Sequence, residues 1–321
     1  MLLSCAITGG GCKTGAVKTT AEASPASPAK TPSAMPSIPA RESAPPPSQT
    51  GGFDGQKAYD YTASLVAFGP RQSNTEGIHQ AQKFIRQQLD SFGCSVEEDD
   101  FHSQTPIGTL PMKNIIAKIP GEGPGIILLL THYDTKFQPN FLGAVDGGSS
   151  TGLMLEMARL LCPRKQPLAV WIAFLDGEEA FGVWSDTDST YGSRELAATL
   201  AMSGDLKKIK AVILADMVGP NNLKIERDSN STNWLTDLVW STAARLGYQK
   251  QFVSSVTTVS DDHQPFTRRK VPAVDIIDLT GFMDAGYWHT SQDTLDKVSP
   301  LSLAIVGHVI LETVIQLQKK P

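Results

Sequence analysis

The residues best suited to chemistry are acidic and histidine side chains that follow apolar stretches of the chain. They are His132, Asp134, Asp146, Asp176, Glu178, Glu179, Asp216, Asp261, Asp262, His263 and His289. A single carboxylate in such a place is most often a helix cap or a solvated loop residue. Clustered carboxylates, however, repel one another strongly unless a cation neutralises them. Their repetition therefore predicts a divalent cation, and mixed histidine and carboxylate ligands favour zinc over calcium or magnesium.

Alternating strands and helices must position these residues. Helical spacing predicts helices at 56–68, 76–92, 149–161, 190–202, 232–246 and 301–318. Apolar runs predict strands at 115–119, 126–131, 168–175, 211–215 and 273–277. This alternation predicts an α/β three-layer sandwich, in which a mostly parallel, mixed central sheet carries helices on both faces. Ligands of such sheets bind beyond the carboxyl ends of the strands, where the acidic and histidine residues lie.

Composition divides the chain into two parts. The first 50 of its 321 residues hold eight of the 21 prolines and no aromatic residue, and the first aromatic is Phe53. We therefore expect a disordered tether at 1–52 and a single zinc-dependent catalytic domain at 53–321. No run of about 18 apolar residues occurs, which predicts no transmembrane span. Residues 51–321 carry 24 basic and 31 acidic side chains. This net negative charge argues against nucleic acid as a partner.

The N-terminus and the cysteines bear on location. The first five residues, which end at Cys5, resemble the end of a bacterial lipoprotein signal. They predict a lipid anchor at Cys5 and a place in the bacterial cell envelope, periplasmic or extracellular, although the apolar stretch is too short for a complete signal peptide. The alternative is an ordinary tail on a cytoplasmic protein. Cys5, Cys12, Cys94 and Cys162 predict neither a disulfide framework nor a CxxC zinc site.

The order of the acidic and histidine residues resembles the zinc aminopeptidase fold of the bacterial leucyl aminopeptidase type. Longer strings are similar to one family within that superfamily, the glutaminyl-peptide cyclotransferases, or glutaminyl cyclases. The strings are Phe174-Leu175-Asp176-Gly177-Glu178-Glu179-Ala180-Phe181 followed by Trp184, Tyr191-Gly192-Ser193-Arg194, Asp261-Asp262-His263-Gln264-Pro265-Phe266 and Trp288-His289-Thr290. The resemblance extends over residues 55–318.

The resemblance implies an enzyme that converts the N-terminal Gln of peptides or proteins to pyroglutamate and releases ammonia. It implies one zinc ion per chain, with Asp146, Glu179 and His289 as its ligands. Zinc with three protein ligands and an open position polarises a carbonyl group. Glu178 is expected to carry the proton, and burial beside apolar walls would raise its pKa towards neutrality.

The same resemblance assigns the remaining walls of the site. Asp261 and Asp216 are expected to form an acidic network that holds the substrate amine. Trp184 and Trp288 are expected to flank the Gln side chain, with Phe282 as a further aromatic wall. Large amphipathic rings suit a site that must exclude water and still hold a polar amide. The enzyme is expected to act as a monomer.

Two other functions remain open. In a two-zinc aminopeptidase, which removes N-terminal residues from peptides, His132 and Asp216 would ligate a second metal and Glu178 would deprotonate a bridging water. The tryptophan pair and the string at Asp261 favour the cyclase. A receptor-like domain without chemistry would show damage at Glu178 or His289, and both are intact.

Overall fold

The computed structural model describes residues 42–319. Its helices are α1 (Gly55–Val66), α2 (Glu76–Ser91), α3 (Ser150–Leu161), α4 (Tyr191–Ser203), α5 (Asn233–Arg245), α6 (Gln264–Thr267), α7 (Leu279–Asp284) and α8 (Pro300–Lys319). Its strands are β1 (Ser95–Thr105), β2 (Gly108–Ile119), β3 (Gly121–His132), β4 (Gln166–Leu175), β5 (Ile209–Asp216), β6 (Ile225–Asp228), β7 (Phe252–Thr257) and β8 (Ala273–Ile277). Each of the six helices predicted from spacing is present, with ends within two residues of the prediction.

The main sheet is mixed and mostly parallel, as predicted. Its strand order is β1-β2-β4-β3-β5-β8. β2 runs antiparallel to β1 and β4, whereas β4, β3, β5 and β8 are parallel to one another. The chain passes from β3 to β4 on one side and later returns to place β5 on the other side. A crevice forms where strand order reverses in this way, and it opens at the carboxyl ends of the strands.

Side chains of β3 alternate between two cores, which is why the strand is apolar throughout. Ile127 and Leu129 belong to the larger core, which α1, α2, α3, α5 and α8 complete. Leu128 and Leu130 belong to the smaller core, which α4 and α6 complete. All four side chains are fully buried. Successive residues of a strand point to opposite faces, so a sheet covered by helices on both faces needs such a run, and the three-layer arrangement is confirmed.

Helix α8 is the most apolar helix of the larger core. It has 20 residues, and its mean hydropathy of 1.6 would suffice to cross a membrane by length and composition. However, 78% of that apolar stretch is buried inside the protein. A helix that is apolar around most of its circumference is typical of a fully covered core position.

Three strands were not predicted. β1 is an edge strand with a mostly exposed, acidic surface, so the apolar alternation that identifies a half-buried strand is missing. β6 and β7 form a separate two-stranded sheet, and β7 is largely exposed. Pairing with a neighbour, rather than burial, accounts for β1 and β7, whereas β6 is short and mostly buried, with polar residues at three of its four positions.

The described chain begins within the segment predicted as a tether. Most of that segment, including Cys5 and Cys12, lies outside the described residues. Pro47–Gln49 form a short 3-10 turn, and Thr50 is fully buried and donates a hydrogen bond from its hydroxyl to the carbonyl of Phe53 at 2.5 Å. Packed structure therefore starts before Phe53.

The expectation that the cysteines form no disulfide was wrong. Cys94 and Cys162 are bonded, 68 residues apart in the sequence, with Cα atoms 5.2 Å apart. Cys94 follows α2 and Cys162 follows α3, and packing of those helices brings the two Cα atoms within the range that a disulfide requires. No local spacing reports such a pairing.

Candidate metal centre and active-site cavity

The predicted site residues converge at the carboxyl edge of the parallel strands. His132 is the last residue of β3 and Asp216 the last residue of β5. Glu178 and Glu179 follow β4, and Asp146 lies in a kinked turn just before α3. The strand order places β4, β3 and β5 side by side, so these five side chains share one region. His289 joins them from the loop after α7.

Three of these residues form a group that fits a zinc ion. His289 Nε2 lies 3.1 Å from Glu179 Oε1 and 3.4 Å from Asp146 Oδ2. One ligand atom from each of the three lies within 4.8 Å of the others. Glu179 Oε1 is buried, and apart from the nearby His289 nitrogen the described residues offer it no hydrogen-bond partner; a metal would satisfy it. An imidazole and two carboxylates, with the fourth side open to a cavity, is a donor set of catalytic zinc sites.

Asp146 also belongs to a second, deeper group. His132 Nε2 lies 3.0 Å from Asp216 Oδ1 and 3.3 Å from Asp146 Oδ1. These three residues again offer ligand atoms within 4.8 Å of one another. The two oxygens of Asp146 therefore face different histidines, one from each group. His132 Nδ1, on the far side of the ring, faces Asp134 at 3.4 Å.

The charges of the two groups are strongly coupled. Burial disfavours ionisation of Asp146, but hydrogen bonds from His132 and His289 still hold its pKa below the ordinary range. Burial and the charge of Asp146 raise the pKa of Glu179. Burial opposes protonation of His289, yet hydrogen bonds to Asp146 and Glu179 raise its pKa to about 9. A cation held between the carboxylates would take the place of this histidine proton, because metal ligands bind deprotonated.

The metal group opens into a cavity of about 230 Å³. Trp184 and Trp288 both line it, and the Trp288 ring stacks on the His289 ring with centroids 3.9 Å apart and planes 22° apart. The remaining lining is Asp146, Glu178, Glu179, Asp216, Met217, Thr258, Val259, Ser260, Asp261, Ile277, Leu279 and His289. Such a mainly apolar enclosure with a few convergent polar groups is typical of a small-ligand site.

Two carboxyl groups of the cavity, Glu178 and Asp261, belong to neither of the two candidate metal groups. Glu178 is 5% exposed, and burial together with the charge of Asp261 raises its pKa well above the ordinary value, although His132 opposes the shift. Asp261 is 3% exposed, and burial and the charge of Asp216 raise its pKa well above the ordinary value. Groups that hold or exchange a proton near neutral pH suit acid–base work.

Phe282 does not line this cavity, which corrects its expected place as a third aromatic wall. The side chain is 2% exposed, packs 5.8 Å from the Tyr287 ring and borders a separate cavity beside Pro220. Leu279, at the start of α7, lines the active-site cavity instead. The short helix α7 turns Phe282 into the protein core, because burial of that ring within the core is favourable.

The site also contains backbone strain. His289 has φ of 51° and Met217, which follows Asp216, has φ of 47°. Both lie in the left-handed region, which costs a residue with a side chain free energy and persists only where surrounding contacts enforce it. The side-chain amide of Gln138 donates a hydrogen bond to the carbonyl of His289 at 2.9 Å, and this contact helps to hold the His289 backbone.

Two further residues support the candidate ligands, and the sequence predicts a specific role for neither, although Asp134 is among the acidic residues singled out from it. Asp134 Oδ1 accepts a hydrogen bond from the amide of Glu178 at 3.1 Å, and Oδ2 accepts one from the amide of Glu179 at 3.3 Å. Lys136 Nζ lies 3.3 Å from Glu179 Oε2. The position of Asp134, two residues after His132, places it in the acidic cluster, but only the fold shows that it accepts hydrogen bonds from these two amides. Nothing in the sequence alone distinguishes Lys136 from a surface lysine.

This fold and ligand set define a class, the α/β enzymes of the zinc aminopeptidase type. The chain belongs to peptidase family M28, which matches residues 114–314. It is 30% identical over 268 residues to the glutaminyl-peptide cyclotransferase of Drosophila melanogaster, which covers 74% of this chain and 75% of that protein.

Solved structures are similar over most of the chain. A glutaminyl cyclase from an Acidobacteriales bacterium is 42% identical, with a TM-score of 0.80 over 88% of this chain and 99% of that one. A Zn-dependent exopeptidase from Parabacteroides distasonis is 29% identical, with a TM-score of 0.74 over 82% of this chain and 98% of that one. The relatives thus include proteins named for cyclisation and for peptide hydrolysis.

Proposed function

We propose that this protein is a zinc-dependent glutaminyl-peptide cyclotransferase, which converts the N-terminal Gln of peptides or proteins to pyroglutamate and releases ammonia. One observation carries the proposal. A three-residue metal group, a buried carboxyl group of raised pKa and two tryptophans line a single cavity. The names of the similar proteins support the same activity.

Asp146, Glu179 and His289 would hold one zinc ion at the edge of the cavity. A zinc ion bound there would polarise the side-chain carbonyl of the substrate Gln. Of the three ligands, His289 is the most exposed, with 17% of its side chain accessible. Its side of the group therefore faces the space where substrate enters. His132 does not line the cavity, and this supports a single zinc in the outer group.

Glu178 moves the proton. The substrate α-amine attacks its own side-chain amide carbon, so a new C–N bond forms while the bond to the amide nitrogen breaks. One proton must leave the attacking nitrogen and one must reach the departing nitrogen, and a single carboxylate can do both in turn. Burial raises the pKa of Glu178, which brings its proton affinity closer to what both transfers require at neutral pH.

Asp261 and Asp216 bind the substrate amine, and the tryptophans hold the Gln side chain. Both carboxyl groups line the cavity on the side of β5 and α6. Trp184 and Trp288 present flat apolar faces that exclude water and keep the Gln folded towards its own amine. Holding the reacting atoms close together lowers the entropic part of the activation free energy.

A two-zinc aminopeptidase is the second candidate, because one specific observation favours it. Asp146 directs one oxygen towards His289 and the other towards His132, as a carboxylate that bridges two metals must. In that reaction His132 and Asp216 would complete the second site, and Glu178 would take a proton from water.

Two substrates and a metal count separate the candidates. The protein is incubated with Gln-2-naphthylamide and with Leu-p-nitroanilide, and zinc is measured per chain. Ammonia released from the Gln substrate without free naphthylamine, at about one zinc per chain, is the result expected of the cyclase. Free nitroaniline from the Leu substrate at two zinc ions per chain would establish the aminopeptidase instead.

We place the enzyme as a monomer in the bacterial cell envelope, periplasmic or extracellular, with a lipid anchor at Cys5. The disulfide between Cys94 and Cys162 supports an oxidising compartment. Labelling the full-length gene product with a fatty acid in its native host tests the anchor, and a Cys5→Ser variant should lose the label. Light scattering after size exclusion tests the monomer.

A further inference from the structure

The turn that carries Asp146 is irregular and needs outside support. Ala144–Ser149 contains non-helical residues, among them Asp146 itself with φ of −80° and ψ of 110°. Gly143, just before this turn, and Gly147, within it, have φ of 54° and 73°. Backbone amides in such a turn lack the regular partners of a helix, and a buried amide without a partner is costly. The conformation that directs Asp146 must therefore be fixed by other groups.

Asp293 supplies that support from the loop that also carries His289. The Asp293 side chain is fully buried. Its Oδ1 accepts a hydrogen bond from the amide of Val145 at 2.7 Å, and its Oδ2 accepts one from the amide of Asp146 at 3.0 Å. One side chain that accepts hydrogen bonds from two consecutive amides fixes their orientation and satisfies both. Asp293 follows His289 by four residues. One short loop therefore carries the proposed ligand His289 and also holds the backbone of the proposed ligand Asp146.

Arg71 holds the other side of the same turn. Its guanidinium is fully buried and donates hydrogen bonds to the carbonyls of Tyr133, Leu142 and Gly143 at 3.0, 2.8 and 2.9 Å. The arginine therefore fixes the carbonyls that precede the turn, whereas Asp293 fixes the amides within it. Arg71 and Asp293 together hold the backbone segment that leads to Asp146.

We propose that Asp293 is a positioning residue of the metal centre, which sets the carboxylate of Asp146 against His289. This inference rests on the ligand set of the proposed function. Asp293 touches neither metal nor substrate and acts through the backbone of Asp146. Removal of residues that orient metal ligands typically weakens metal binding 10–100-fold.

The test substitutes Asp293→Asn, which keeps the shape and removes one of the two acceptors. Apoprotein is prepared with a chelator, and zinc affinity is measured by competition with a chromophoric chelator. Thermal unfolding of the apoprotein and the Co²⁺ absorption spectrum are recorded alongside. The expected result is a zinc Kd that rises about 10–100-fold, with an altered Co²⁺ spectrum and a folded apoprotein.

Asp228→Asn is the matched control. Asp228 is also buried, and its Oδ1 accepts hydrogen bonds from the amides of Asn230 and Val259 at 3.1 and 2.9 Å. It lies outside the two metal groups of the cavity but belongs to a third buried group with His263 and Asp275, so zinc per chain is counted in this variant together with the Kd. This variant should lose stability and keep the wild-type zinc Kd.

Two outcomes would overturn the inference. One is a zinc Kd for Asp293→Asn within twofold of wild type. The other is an equal rise in Kd for Asp228→Asn, which would mean that any lost buried carboxylate weakens the site. Should Asp293→Asn fail to fold, Asp293→Glu takes its place, because it keeps the charge and shifts the acceptor, and an unchanged Kd there would refute the role. Asp146→Asn separates the two proposals, since unchanged zinc binding in that variant would refute the ligand set itself.

Discussion

The role of Glu178 can be tested by a single isosteric change, Glu178→Gln. The amide keeps the size of the side chain and cannot accept a proton. We expect zinc to remain bound, because the proposed ligand group is Asp146, Glu179 and His289. We expect kcat for cyclisation to collapse, because the attacking amine then has no group that takes its proton.

The size of the loss follows from what Glu178 does. A positioned acid or base contributes about 10²–10⁴-fold to a rate, and the proposed role of Glu178 covers both proton transfers. A fall of about 10³-fold is therefore expected, or about 4 kcal/mol in activation free energy. Folding stability should not fall. Burial and the negative charge of Asp261 raise the pKa of Glu178, so the ionised form is disfavoured in the fold and a neutral amide removes that repulsion.

The assay is ammonia release from a Gln peptide as a function of pH, with zinc content measured on the same samples. The wild-type rate should fall as pH drops below the raised pKa of Glu178, because only the ionised form accepts a proton, and the residual Glu178→Gln rate should lack this acidic limb. Glu179→Gln is the matched control one residue along, and it should weaken zinc binding. Loss of zinc from Glu178→Gln, or a rate within tenfold of wild type, would refute the assignment.

Three further predictions concern substrate binding, the disulfide and pH. Trp288→Ala should raise KM about 10-fold, the effect of a 1.4 kcal/mol loss, whereas Trp234→Ala, on an exposed helix surface with 45% of the residue accessible, should leave steady-state kinetics unchanged. Replacing Cys94 and Cys162 by serine should lower the free energy of unfolding in urea by about 4 kcal/mol, because the bond closes a 68-residue loop, with little effect on kcat. Burial raises the pKa of Asp278 from 3.8 to about 6, so its contribution to stability is present below pH 3.8 and is lost as pH rises towards 6. Asp278→Asn should therefore gain about 2–3 kcal/mol relative to wild type between pH 3.8 and 7, and equal pH profiles in urea unfolding would contradict this.

The sequence predicts the parallel core of this protein because its signals are local. The all-apolar run of β3 reports burial on both faces, and the residues that end β3, β4 and β5 share a sheet edge by topology alone. β1 escapes prediction because its side chains are mostly exposed and acidic, so its apolar pattern is too weak to reveal the strand that pairs with β2. The bond between Cys94 and Cys162 depends on how α2 and α3 pack, which no spacing encodes.

The chemical side chains were predictable, whereas their supports were not. Glu179 and His289 stand in recognisable strings, but Asp293 looks in sequence like any aspartate of a polar loop. Its importance comes from the two amides that it meets after folding. Arg71 likewise resembles a surface arginine until the fold buries it against three carbonyls. Phe282 shows the converse error, because a plausible wall residue points instead into the core.

The two oxygens of the Asp146 carboxylate face different histidines, and this arrangement affects how activities can diverge on this fold. A lineage that moves between cyclisation and peptide hydrolysis need not acquire or discard a ligand residue. One carboxylate oxygen of Asp146 already faces His132 and the other faces His289. Selection can then act on the lining of the cavity and on the occupancy of the inner histidine group, while the ligand residues stay fixed. These ligand positions alone would therefore not separate the two activities on this scaffold.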